Sequence, residues 1–190
     1  MRIVVARYNE DVSCFSPFLD HCLIYNKGSE MDMQCIPLPN MGREAHTYLH
    51  HIIENYDNLD DITVFTQGNP LDHSAKFFNR VEDLLINGML GHFVNLCDQV
   101  IDIHGLRCAH WPYGTLPDVL PVTAKTLLDP EFQKSIWFGA GAIFAVSKEG
   151  IQQRSLKFYQ KAISLFPTTP FCGGYSYAFE RLWPVIFNAS

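Results

Sequence analysis

Four polar clusters in this chain have the side chains of a ligand site, and each borders a run patterned like a strand or a helix. The apolar run Ile62–Phe65 stops at Gln67, Gly68, Asn69, Pro70, Asp72 and His73. Ligands of open α/β sheets sit at the carboxyl ends of strands, so a phosphate, sugar or metal is expected there. An ordinary strand-to-helix turn has the same composition. Arg7-Tyr8-Asn9-Glu10-Asp11 follows the first apolar run. There Arg7 suits a diphosphate, and Asn9 or Glu10 suits a base or ribose; an exposed turn with local ion pairs is the alternative. Asn40-Met41-Gly42-Arg43-Glu44 opens a helical pattern, and helix amino termini attract anions through unpaired N–H groups and the macrodipole. Arg43 would strengthen such a site, while Glu44 also suits the role of a favourable first-turn acid. Finally, Glu180 lies in an aromatic setting between Tyr177 and Trp183. A carboxylate near apolar walls can have a raised pKa and serve as a general base, or it can simply pair with Arg181 or another arginine.

Other groupings point less sharply. His46 and His50 fall one turn apart on the polar side of the same helical pattern, with His51 adjoining. Such a pair can bind a metal, but Thr47-Tyr48-Leu49 stands between them and HExxH is absent. Asp102, His104, Cys108 and His110 match no standard zinc spacing. A Cys/His nucleophile pair is compatible with the composition, yet nothing selects one among six cysteines and eight histidines. Neither GxGxxG nor GxxxxGK[ST] occurs, so the dinucleotide and P-loop readings lack their main support.

The elements that must position these groups read as one α/β domain spanning residues 1–190. Strand-like runs fall at about 2–7, 21–26, 34–38, 62–67, 98–104 and 140–146. Ala45, Tyr48, Leu49, Ile52, Ile53 and Tyr56 recur at helical spacing and predict an amphipathic helix over 43–56. A second helix is expected over 74–87 with Ser74 as its N-cap. A third follows Ser147 and buries Ile151, Leu156, Tyr159 and Ile163; a last one over 175–187 should kink or end at Pro184. Residues 111–121 carry three prolines and read as a stiff loop. Strands alternating with helices imply a mostly parallel sheet covered on both faces.

At 47% hydrophobic, 18% charged and net charge -6, the composition is globular and argues against nucleic acid as a partner, which calls for a basic face. No segment reaches the length of apolar residues that spans a membrane. Ile3–Ala6 is too short for a signal-peptide core. The six cysteines contain no CxxC pair and read as free thiols, which suits a reducing, cytoplasmic setting.

Taken together, Val5-Ala-Arg-Tyr-Asn-Glu-Asp11, Ile24-Tyr-Asn-Lys-Gly28, the Asn40–Ile52 segment, Val64–His73, Gly139–Ser147 and Glu180-Arg-Leu-Trp-Pro184 resemble a family of glycosyltransferase-like domains similar to small GT-A-type enzymes. The resemblance runs over nearly the whole chain. It implies a single GT-A-like (Rossmann-like) domain that holds a nucleotide-sugar, a UDP-sugar in the favoured case, on the first half of the sheet. It implies an acceptor hydroxyl on a glycan or other molecule, and transfer by inversion. It places nucleotide and diphosphate contacts on Arg7, Asn9, Glu10, Arg43 and Glu44, donor-sugar contacts on Gln67, Asn69 and Asp72, and the base on Glu180. The family's Asp-x-Asp motif for Mn2+ is missing; Asp72 with His73 occupies that location, and Asp102-Ile-His104 comes one element too late. That departure leaves room for a metal-independent enzyme in which Arg7 and Arg43 neutralise the diphosphate. A non-catalytic nucleotide- or glycan-binding module and a metal-dependent hydrolase are the alternative expectations.

Overall fold

The computed structural model describes residues 1–30, 35–103, 116–132, 135–167 and 174–188. Three apolar runs form β1 (Arg2–Arg7), β2 (Cys22–Asn26) and β3 (Cys35–Pro37), followed by α1 (Arg43–Asn55), β4 (Ile62–Gln67) and α2 (Phe77–Asn87). Next come β5 (Phe93–Asn95), β6 (Val100–Ile103), α3 (Leu116–Leu127), β7 (Ile136–Gly139) and β8 (Phe144–Ser147). The chain closes with α4 (Lys148–Gln152), α5 (Leu156–Ile163) and α6 (Tyr175–Phe187). The main sheet has the order β3-β2-β1-β4-β8-β5, and β6 pairs with β7 in a separate antiparallel ribbon. β3, β2, β1 and β4 are parallel, whereas β8 runs antiparallel to both β4 and β5.

Strand alternation sends Val4, Phe65 and Phe144 to one face, where Tyr48, Leu49 and Ile52 of α1 and Phe179 and Trp183 of α6 cover them. Ile3, Val5 and Val64 point to the other face, against Phe77 and Val81 of α2 and Phe15 and Phe18 of the 3-10 segment Ser13–His21. Each such side chain contributes about 1.5–3 kcal/mol by leaving water. The expected fold class, α/β with a mostly parallel sheet between helices, is the one observed.

Several local expectations need correction. α1 buries His46, Thr47 and His51 as well as its apolar stripe: His46 meets Phe166 beyond α5, and His51 packs against Tyr25 of β2 and Phe65 of β4. α2 begins at Phe77, and Ser74 lies outside it as a buried acceptor of an Arg80 Nη1 hydrogen bond at 2.8 Å. The strand expected over 140–146 is a turn followed by β8, since Gly141 (φ 117°) and Ala142 (φ 53°) leave the extended region. The single helix after Ser147 is two, α4 capped by Ser147 and α5 capped by Ser155. Pro184 does not end α6: it withholds the usual donor from the Glu180 carbonyl, but burial of Leu182, Trp183, Ile186 and Phe187 holds the helix together.

From Leu116 the proline-rich stretch is helical, with Pro117 in the first turn, where no N–H is needed, and Pro121 inside. Residues 111–115 lie outside the described residues, as do His104, Cys108, His110 and Cys172. Cys14, Cys22, Cys35 and Cys97 are free thiols. Burial pushes Cys22 up to about 11 and Cys97 to about 12, so neither is a ready thiolate nucleophile near neutral pH. Among the described residues no helix is long and apolar enough to cross a membrane.

Candidate functional site

A cavity of about 290 Å³ opens where the carboxyl ends of β1, β2 and β4 meet the amino terminus of α1. Ala6 and Gln67 come from adjacent positions on paired strands. Arg7, Tyr8 and Glu10 follow β1, Lys27 follows β2, and Asn40, Arg43 and Glu44 come from the entry to α1. Three basic and two acidic residues therefore border one concave surface. Gly42 offers no side-chain cap, so the first-turn N–H groups of α1 add positive potential at the same end.

The groups around this cavity are held firmly. Arg7 is 8% exposed and donates from Nε to the Glu10 carbonyl at 2.8 Å and from Nη1 to the Glu30 carbonyl at 3.0 Å. These donors tie two loops together at the edge of the cavity. A Glu10 carboxylate oxygen accepts from the Tyr8 N–H, and a side chain at Gly68 would collide with that carboxylate. Lys27 donates to the carbonyls of Met41 and Arg43, fastening β2 to the start of α1. Arg43 is half exposed; it donates from Nη1 to the Tyr177 hydroxyl at 3.0 Å, and its guanidinium lies 5.1 Å from that ring's centre. Glu44, beside it, is 12% exposed. Burial drives its carboxyl above the usual range; Arg43 opposes the effect and Glu180 adds to it.

A second layer runs through the turn between β7 and β8. The Gly141 N–H donates to Glu180 Oε1 at 2.7 Å, while its carbonyl accepts from Gln67 Nε2 at 2.5 Å. Glu180 Oε2 pairs with Arg181 Nη1 at 2.8 Å, and the buried Tyr48 hydroxyl donates to the Ala142 carbonyl at 3.1 Å. One turn thus joins β4, α1 and the acidic side chain of α6. A side chain at Gly141 would strike His73 at 2.5 Å. Asn9, Arg43 and Ala142 are the non-glycine residues with positive φ among those described, and all three border this region. Such backbone costs about 1–3 kcal/mol per residue and concentrates at functional sites.

Of the residues singled out in the sequence, Arg7, Glu10, Arg43, Glu44 and Gln67 converge on the cavity. Asn9 is instead turned into the loop, accepting from the Glu30 N–H at 2.8 Å. Asn69, Asp72 and His73 are exposed on the turn after β4 and do not line the cavity. Glu180 sits behind it, close enough to act electrostatically on Glu44. His46 and His51 are buried in the core, where desolvation lowers both to about 4. Tyr8 and Lys27 were not singled out. Lys27 stands at the carboxyl end of β2, so the strand-end rule already applied to β1 and β4 points to it.

By fold and site, this is an α/β protein with a crevice of mixed basic and acidic lining at the carboxyl edge of its parallel strands. Residues 3–190 match the family described as Protein of unknown function (DUF3431), and the chain belongs to that family. No curated protein and no solved structure matches the chain.

Proposed function

We propose that this chain is a glycosyltransferase that takes a sugar from a nucleotide-sugar, with a UDP-sugar as the favoured donor, to a hydroxyl of a glycan or other acceptor. One observation carries the reading. The cavity where Arg7, Lys27 and Arg43 converge lies over the half of the sheet on which the GT-A resemblance puts the donor. Transfer is by inversion: the acceptor oxygen attacks the anomeric carbon, Glu180 takes the hydroxyl proton, and the nucleoside diphosphate leaves into the positive crevice. Preorganised charge at the leaving group and fixed positioning supply most of the acceleration.

A Mn2+ ion was the resemblance's other means of neutralising the diphosphate. Asp72 and His73, which stand in the motif's place, fit it poorly, being exposed and outside the cavity. The step is therefore written on the three cations. Free thiols at Cys14, Cys22, Cys35 and Cys97 support a cytoplasmic setting.

A second reading, a nucleotide- or glycan-binding module without turnover, is favoured by one feature: both Glu180 oxygens already accept hydrogen bonds. Thermal stabilisation by UDP, GDP, CMP and their sugars, with and without Mn2+, tests the donor class. A ligand at about 100 times its Kd adds about 2.7 kcal/mol. A nucleotide-selective shift supports the transferase and binding-module readings alike, and turnover with an acceptor separates them. No shift with any nucleotide removes the transferase reading and leaves a glycan-binding module or a metal-dependent hydrolase.

A further inference from the structure

Glu44 stands where an anion would have to bind. It is a lining residue of the cavity, its side chain is 12% exposed, and its carboxylate lies 3.5 Å from Arg43 Nε. The charged groups around it are Arg43 on its own helix, Lys27 after β2 and Glu180 on α6, with Arg7 and Glu10 lining the same cavity from the β1 loop. An ionised carboxylate so placed would repel a bound diphosphate, because like charges a few ångströms apart disfavour each other strongly away from water. A protonated carboxyl reverses the interaction, since it carries an O–H donor.

On the donor reading above, we propose that Glu44 meets the diphosphate as a neutral carboxylic acid, taking up one proton as the donor binds and donating a hydrogen bond to a phosphate oxygen. The surroundings already favour the proton: burial and Glu180 both push Glu44 upward, against Arg43 and Lys27. A diphosphate adds a further negative neighbour. No covalent change is involved, and the proton comes from solvent. Above the ionisation of Glu44 in the free protein, donor affinity should fall about tenfold per pH unit.

Calorimetric titration with UDP-glucose and GDP-mannose tests this, since their phosphate diesters do not titrate between mildly acidic and mildly alkaline pH. Runs in buffers of different ionisation enthalpy report the protons exchanged. The expected result is uptake approaching one proton by the wild-type protein at the alkaline end. In Glu44→Gln, whose amide also donates, uptake vanishes and affinity becomes independent of pH. Binding without uptake in the wild-type protein, or equal uptake in Glu44→Gln, overturns the proposal and leaves the donor reading intact. Failure of UDP, GDP, CMP and their sugars alike to bind overturns the two together. The wild-type measurement stands by itself should Glu44→Gln fold poorly.

Discussion

His51 offers a quantitative test of how the core is assembled. It is 3% exposed, the Tyr25 hydroxyl lies 3.1 Å from its Nδ1, and its ring meets Phe65 edge-on at 5.9 Å. Burial lowers its pKa from 6.5 to about 4. As pH falls below 6.5, the unfolded chain takes up a proton that the native imidazole refuses. Stability is therefore lost from there down to about 4, and the whole window is worth about 3 kcal/mol. For one such group, the loss between pH values of about 7.5 and about 5 comes to about 2 kcal/mol. His51→Gln keeps an acceptor for Tyr25 and removes the titration. With a urea dependence of about 2 kcal/mol per molar, the wild-type midpoint should drop about 1 M further than the variant's over that pH interval. His46 is lowered to about 4 as well and acts in the same direction, but it is common to both proteins and cancels. Equal pH dependence in the two proteins would refute the placement of a neutral, buried His51.

Three further outcomes concern the site. Gly141→Ala puts a methyl group within 2.5 Å of His73 at a φ of +117°. It should destabilise by about 1–3 kcal/mol and depress transfer more than donor binding; chemical denaturation and a turnover assay check the two effects. Arg43→Ala should weaken donor affinity about tenfold and flatten its salt dependence, and titration at two ionic strengths reads both. Glu180→Gln should abolish transfer while donor binding persists, and a rate equal to wild type would remove Glu180 from the mechanism.

β1, β4 and α1 were legible because each carries a strong local signal: short apolar runs ending in turn residues, and apolar positions at helical spacing. β5 was not, since three residues give no measurable period. The run from Gly139 to Val146 looked continuous because small and apolar residues suit a strand and a tight turn equally. Only the packing of Gly141 against His73 and its bond to Glu180 distinguishes them. The burial of His46 against Phe166 and of His51 against Tyr25 and Phe65 was not legible, because periodicity along one helix carries no information about what will pack on its polar side.

Residue order by itself determined the class of fold and the rule that polar groups after β1 and β4, together with those at the start of α1, would share one edge. Strand ends and helix starts are local properties, and parallel pairing brings them together. Tertiary structure decided what each group can do there. Arg7 is held by carbonyls from two loops, Asp72 and His73 fall outside the cavity, and Lys27 enters it. Glu44 gains affinity for a proton because desolvation and the field of Glu180, 136 positions further along the chain, sum over the whole fold. Ionisation depends on every nearby atom, so no window of neighbouring residues could have revealed it.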